Sequence, residues 1–138
     1  MRSRKGFTLI ELMVVILIVG ILASVAIPML RGRIDAAKWS EGKAMMGSIA
    51  TSIRAYQAEK GPTGAAPTIL GVGATGLGFA AGDLTGTYFG DADFTFTVAF
   101  PMDPLTFTVT GTAGVSLDPD APTNPASYVL DQAGNWTP

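Results

Sequence analysis

The side chains that could carry out chemistry in this chain are few. Its 138 residues include no Cys and no His, which removes thiolate nucleophiles, disulfides, Cys/His zinc sites and the commonest general base. No Ser, Asp or Lys falls in a catalytic pattern. Charged residues make up only 14% of the chain, which favours a membrane or assembly protein with one modest domain. The sequence therefore predicts a protein that is not an enzyme.

Two pairs of carboxylates could bind calcium, because its ligands are oxygen atoms. Asp91 and Asp93 form one pair, and Asp118 and Asp120 form the other. Neither pair belongs to a loop of alternating acidic residues that is closed by a glutamate, as the best-known calcium-binding loop is. We interpret both pairs as solvated turns, retain Asp118 and Asp120 as weak calcium candidates, and expect no other cofactor.

Glu11 is a carboxylate at the start of a long uncharged stretch. The next 19 residues, 12–30, carry no charge, and at about 1.5 Å per residue they match a hydrocarbon thickness of ~30 Å. A charge at the centre of such a helix costs roughly 2.5–3.5 kcal/mol on insertion scales, and less near the interface. Glu11 therefore needs a partner, and its own chain offers no good one.

Helical periodicity continues beyond this stretch. Ile49, Ile53 and Tyr56 recur at helical spacing and share one face, and Gly61 followed by Pro62 is typical of a helix end. We predict one helix from about residue 7 to about residue 60. Its second half should pack this face against the rest of the chain.

Two residues weaken the first half of the predicted helix. Pro28 has no N–H, and its ring crowds the carbonyl of Ser24, a defect of about 3 kcal/mol or more. Gly20 is a poor helix former. We predict a bend or a locally unwound stretch between Gly20 and Pro28 when the chain is assembled with other copies.

The rest of the chain is predicted to form a small β domain. Residues 61–90 hold nine Gly and two Pro, which is typical of loops. Residues 94–100 and 105–110 alternate apolar with small or polar side chains on either side of a Pro-containing turn, a pattern that predicts a hairpin. Tyr128 to Leu130, a turn over 131–134 and Trp136 indicate a further strand. The predicted fold is α+β, with a long helix packed on a small antiparallel sheet.

Charge is distributed unevenly along the chain. Arg2, Arg4 and Lys5 precede the uncharged stretch, which places the N-terminus in the cytoplasm by the positive-inside rule and residues 31–138 on the other side of the membrane. Residues 61–138 carry seven Asp and no Lys or Arg. Nucleic-acid binding by this part of the chain is therefore not expected.

Two other interpretations stay open from the residues alone. A basic start followed by an apolar run is also typical of an ordinary secretory signal peptide, for which residues 24–26, Ser-Val-Ala, could be the cleavage site. The position of Glu11 and the continuing helical pattern argue against it. The helix could also be only a tether for a domain that binds sugars or ions.

The beginning of the chain also carries a specific combination of residues: RKG at 4–6, FTLIE at 7–11, and an apolar run that reaches Pro28. This combination closely resembles the leader and N-terminal helix of type IV pilins and type II secretion pseudopilins. The resemblance is specific over residues 4–30 and general over 31–60. The lack of Cys departs from the many pilins that close a C-terminal loop with a disulfide.

The resemblance implies roles for single residues. A prepilin peptidase would cut after Gly6 and methylate the new N-terminus at Phe7. Glu11 would correspond to the glutamate of the membrane helix that acts in assembly, and Pro28 to the proline that bends the helix.

The resemblance also implies a domain organisation and partners. Residues 1–6 would be a cytoplasmic leader, 7–30 a transmembrane and assembly helix, 31–60 its amphipathic continuation, and 61–138 an acidic globular β domain. The implied partners are membrane lipid before assembly, other copies in a helical filament, the peptidase, and an inner-membrane platform with an ATPase. We expect a single-pass protein of a bacterial inner membrane that becomes an extracellular pilus subunit or a periplasmic pseudopilus subunit.

Overall fold

A computed structural model describes residues 6–116 and 119–138. One helix, α1, comprises Leu9–Lys60. It ends at Gly61, whose φ of 74° is a left-handed conformation that glycine adopts readily. The N–H of Gly61 donates to the carbonyl of Gln57 at 2.8 Å. The predicted single helix is confirmed, and it begins two residues later than expected.

Four antiparallel strands lie side by side in chain order: β1 (Phe94–Val98), β2 (Phe107–Thr112), β3 (Ser127–Asp131) and β4 (Trp136–Thr137). Phe96 of β1 lies opposite Val109 of β2, and Val109 lies opposite Leu130 of β3. The predicted hairpin is confirmed, although its second strand begins at Phe107 and not at Leu105. The α+β architecture is therefore confirmed as well.

The chain divides into two compact units, Met1–Ile34 and Asp35–Pro138. Each unit contains part of α1. Among the described residues, every buried side chain lies at or after Asp35. The second unit thus holds the hydrophobic core.

The core of the second unit forms where one face of α1 meets the sheet. Ile49, Ile53 and Val109 are fully buried, and they belong to one apolar cluster with residues of all the longer strands. Trp39 packs its ring against Phe89, with ring centroids 4.8 Å apart. Such burial is worth about 1.5–3 kcal/mol for each large apolar side chain.

Tyr56 has a different environment from Ile49 and Ile53. Its side chain is buried, but its hydroxyl donates to the carbonyls of Ala65 and Ala74 at 3.1 and 3.2 Å. Both carbonyls belong to the loop after α1, not to the sheet. Tyr56 therefore fixes this loop on the last turns of the helix.

Side chains of α1 also bind the later loops directly. Asp35 accepts from the Thr123 hydroxyl and the Asn124 N–H at 3.0 and 3.1 Å. Glu41 accepts from the N–H of Tyr88 at 2.8 Å. These bonds give the loops fixed positions although they contain little regular structure.

Asp93 corrects the interpretation of the first carboxylate pair. Its side chain is only 2% exposed and accepts from the N–H groups of Gly90, Val115 and Ser116 at 2.7–2.9 Å and from the Ser116 hydroxyl. Asp91 accepts from the N–H groups of Gly82 and Leu84. The description as a solvated turn is wrong for Asp93, because its carboxylate is buried and accepts from N–H groups more than twenty residues away. Asp91 is half-buried and is bound to the loop that precedes it.

Candidate functional site

The most unusual surface of the described chain is the first part of α1. All 18 large hydrophobic side chains between Phe7 and Ile34 are exposed. Burying such a side chain is worth about 1.5–3 kcal/mol, so the whole surface represents on the order of tens of kcal/mol. A patch of this size marks an interaction with lipid or with other proteins.

This segment is also long and apolar enough to cross a membrane, judged by length and composition. In the bilayer core a continuous helix satisfies its own backbone groups. The same surface can pack against equivalent helices, because helix association in lipid relies on close packing and not on the exclusion of water.

Glu11 is the single charged side chain of the described residues before Arg31, and it is exposed. The Thr8 hydroxyl lies 3.4 Å from its carboxylate, and the N–H of Glu11 donates to the Thr8 hydroxyl oxygen at 3.3 Å. Thr8 thus caps the first turn of α1, in the pattern of a threonine followed three residues later by a glutamate. The position of Glu11 in the first turn is also favourable for the helix dipole.

Thr8 was missed by the sequence reasoning, although the Thr-x-x-Glu signal could have identified it. Among the described residues, the Thr8 hydroxyl is the only side-chain hydrogen-bond partner of the Glu11 carboxylate. Both distances are long for hydrogen bonds, so the carboxylate keeps capacity for a stronger partner.

The predicted cleavage position lies just before this cap. Gly6 and Phe7 are exposed and lie outside the helix, as a peptidase substrate must, since a helical backbone is poorly accessible to a protease. The leader charges Arg2, Arg4 and Lys5 lie outside the described residues. Cleavage and methylation at these positions stay predictions.

Gly20 and Pro28 both lie within α1, which continues through them. The Ser24 hydroxyl donates to the carbonyl of Ile21 at 2.7 Å. Because Pro28 has no N–H, it cannot donate the helical hydrogen bond to the carbonyl of Ser24. The predicted bend concerns the assembled state and stays a prediction for it.

Only one of the two calcium candidates lies within the described residues, so the predicted pair stays a prediction. Asp118 lies outside the described residues, and the backbone carbonyl of Asp120 accepts from Lys38 at 2.5 Å. Within the described ranges, no three acidic side chains form a group that could hold a metal ion.

Among the described residues of the second unit, two groups have shifted pKa values, and both are exposed. Hydrogen bonds from the side chain and the N–H of Asn135 lower the pKa of Asp131. The neighbouring carboxylate of Glu59 raises the pKa of Lys60, with which it forms a salt bridge of 2.7 Å. Neither shift indicates catalysis, since each has a local partner on the surface.

The fold and this surface together define a class: a small α+β protein with an exposed, membrane-compatible helix. Residues 1–27 match the prokaryotic N-terminal methylation motif. No solved structure matches the chain significantly.

Curated relatives extend this match. The chain is 31% identical to fimbrial protein EcpB of Eikenella corrodens over 138 residues, 99% of this chain and 86% of that protein. It is 39% identical to fimbrial protein EcpC of the same species over 72 residues, 52% of this chain and 47% of the relative. It is 43% identical to type II secretion system core protein G of Pseudomonas aeruginosa over 56 residues, 41% of this chain and 39% of that protein. The last two matches span less than half of the relatives' own lengths.

The chain therefore belongs to the family of type IV pilins and type II secretion pseudopilins. Members of this family are structural proteins and not enzymes, and they assemble with other subunits. The motif and the apolar helix fit a membrane-anchored pilin or pseudopilin.

Proposed function

We propose that the chain is a structural subunit of a type IV pilus-like filament. The observation that carries this proposal is the exposed apolar surface from Phe7 to Leu30, in which Glu11 is the single charge. The similarity to fimbrial protein EcpB over nearly the whole chain supports a pilus subunit in particular.

Processing would precede assembly. Arg2, Arg4 and Lys5 would hold the N-terminus on the cytoplasmic side of a bacterial inner membrane, with the second unit on the outer side. Prepilin peptidase would cut between Gly6 and Phe7 and methylate Phe7. This leaves a free, positively charged amine close to the start of α1.

Assembly would use that amine. Phe7 and Glu11 are four residues apart, so a neighbour shifted along the helix axis by about one turn, ~5–6 Å, brings its N-terminus to the Glu11 carboxylate. Charges that pair away from water interact more strongly than exposed ones. An inner-membrane platform with an ATPase would move each subunit from lipid into the filament, where other apolar helices replace the lipid.

A pseudopilin of a type II secretion system is the second candidate. The similarity to core protein G, 43% identity over 56 residues, favours it. The two functions differ in the location of the filament and in the effect of deleting the gene. A pilus subunit should give extracellular filaments, and a pseudopilin should give a secretion defect with periplasmic assemblies.

Processing and assembly are tested on protein from its native cell. Intact mass and N-terminal sequencing of membrane and sheared extracellular fractions should show a chain of 132 residues, six fewer than the sequence, that begins with N-methylated Phe7. Electron microscopy of the sheared fraction should show filaments that contain it. A mature chain that starts at Ile27 would indicate an ordinary signal peptide, and a correctly cut chain that never enters filaments would leave only a tethered binding protein.

A further inference from the structure

The outer face of the sheet carries an array of threonines. Along β1 and β2 the inward positions are apolar or Gly111, and the outward positions are all threonine: Thr95 and Thr97 on β1, and Thr108, Thr110 and Thr112 on β2. The strand register places Thr95 opposite Thr110 and Thr97 opposite Thr108. The five side chains therefore form two adjacent columns on one face.

The hydroxyl groups of this array are available to a ligand. Within the described residues, none of the five makes a side-chain hydrogen bond to another protein group. Thr95, Thr97 and Thr108 are exposed, and the other two are half-buried. Neighbouring hydroxyls repeat at roughly 6.8 Å along a strand and about 4.8 Å between strands, so the array offers a regular set of donors and acceptors.

One end of the array is concave. A shallow depression of about 170 Å³ with a mostly apolar surface is lined by Thr97, Ala99, Thr106, Phe107, Thr108 and Gln132. This volume is smaller than the roughly 300–1,000 Å³ of pockets that enclose drug-sized ligands. The depression is therefore suited to one unit of a longer chain that continues across the threonine columns.

Charge determines which partner fits this face. The second unit, residues 35–138, contains ten Asp or Glu and four Lys or Arg, so its net charge disfavours nucleic acid, anionic lipid and sulfated polymers. On the face itself, Asp131 lies opposite Thr108, and its carboxylate already accepts from Ala133 and Asn135. Arg54 of α1 lies beside the depression and donates to the carbonyl of Gln132 at 3.3 Å, so both of these charges already have protein partners. A neutral partner is the one complementary to such a surface.

Protein partners fit the threonine face less well than a neutral polymer that carries hydroxyl groups on each repeat. Protein interfaces depend on a few buried aromatic or arginine side chains, and the outward positions of β1 and β2 offer none. A polysaccharide presents hydroxyl groups at each repeat and C–H surfaces that match threonine methyl groups. We propose that the threonine face binds a neutral polysaccharide, with one sugar residue seated between Thr97, Thr108 and Gln132.

This proposal is independent of filament assembly, and the test uses the full chain in a phosphocholine detergent, which carries no sugar. Cellohexaose, maltohexaose and chitohexaose are titrated while amide and threonine methyl NMR signals are recorded. At least one hexasaccharide should shift the signals of Thr97, Thr108 and Gln132 with a Kd on the order of millimolar. The absence of any saturable shift with all three sugars would overturn the proposal.

The double variant Thr97→Val/Thr108→Val removes two hydroxyl groups while it keeps β-branched side chains of similar shape. It should weaken the binding by roughly tenfold or more, because two hydrogen bonds are lost, with an unchanged melting temperature. Thr63→Val, at an exposed position outside the strands, is the matched control and should bind like wild type. Unchanged binding by the double variant would overturn the proposal. So would an altered oligomeric state without any sugar, because the face would then be a contact between copies.

Discussion

Glu11 combines a weak local contact with a role that needs another copy of the chain. Its distances to Thr8, 3.3 and 3.4 Å, indicate a cap that stabilises the helix modestly. We therefore expect Glu11→Ala to be inserted, cleaved and folded like wild type. Its filament yield should fall by about tenfold or more, because a desolvated pair that loses one partner loses about 3–5 kcal/mol. Immunoblots of sheared and membrane fractions measure this yield.

Thr8→Val is the matched control for Glu11, since it removes the cap and leaves the charge. It should assemble nearly as wild type. Glu11→Gln separates charge from hydrogen bonding and should fail as Glu11→Ala does if charge decides. Wild-type yield for Glu11→Ala, or a loss explained entirely by uncleaved precursor, would contradict the assembly role.

Among the residues of its loop, Asp93 is the one whose substitution should lower the free energy of unfolding most. Asp93→Ala leaves the N–H groups of Val115 and Ser116 without their acceptor, and hydrogen bonds to a charged group are worth about 1.5–3 kcal/mol each. We expect a loss of about 3 kcal/mol or more in the free energy of unfolding, measured by denaturant titration of the full chain in detergent. Asp103→Ala, at an exposed position, should stay within about 0.5 kcal/mol of wild type.

The burial of Asp93 could not be predicted from its sequence surroundings. Its donors at Val115 and Ser116 are more than twenty residues away, and nothing in the local sequence Asp-Ala-Asp identifies them. Glu11 was identified because its context is local: a single charge beside an apolar run. The cap at Thr8 was equally local, because a threonine three residues before a glutamate at the start of an apolar run is a helix-capping pattern.

At the scale of elements, alanine substitutions at two glycines of α1 should have opposite effects on stability. A Cβ on Gly42 would lie 2.8 Å from the Phe89 ring, whereas a Cβ on Gly47 would meet nothing within 4 Å. Phe89 is buried against Trp39 and cannot move freely. We expect Gly42→Ala to destabilise the chain by about 1–3 kcal/mol and Gly47→Ala to stabilise it by about 0.5–1 kcal/mol. Denaturant unfolding in detergent compares the two, and equal effects of the same sign would contradict this packing.

The stability that the turn between β3 and β4 contributes to the fold should depend on pH. Because hydrogen bonds from Asn135 lower the pKa of Asp131 in the folded chain, its ionised form favours folding. This contribution is complete above the unfolded pKa of roughly 3.9 and is lost as the pH falls through the lower, folded value. Melting curves from pH 6 to pH 2 should show a smaller decrease for Asp131→Asn than for wild type. Identical curves would contradict the contribution.

Elements with a strong periodic pattern were predictable, and the loops between them were not. Helical spacing around Ile49 and Ile53 and the alternation in β1 and β2 reflect side chains that meet one common core. Residues 61–90 lack such a period, so the hydrogen bonds from Tyr56 to their carbonyls could not be predicted. The hydrogen bonds that position this loop are contacts between distant residues, and only the structure identifies them.

At the scale of the whole molecule, the two units need different surroundings. The first exposes apolar side chains throughout and requires lipid or other helices. The second closes its own core and presents an acidic, threonine-bearing surface to water. This division follows burial, and it places the boundary at Asp35.

A chain that begins at Asp35 should therefore fold without the apolar segment. Every buried side chain of the described residues is retained, including Asp35, which fixes the loop at Thr123 and Asn124. We expect a soluble monomer by gel filtration, with a cooperative melt followed by near-UV circular dichroism. A chain that begins at Gly42 is the matched control, because it loses Asp35 and the buried Trp39 ring, worth about 3–5 kcal/mol in a core. That shorter chain should melt at a much lower temperature or without cooperativity. Aggregation of the Asp35 chain, or equal stability of the two, would show that the core does not begin where burial begins.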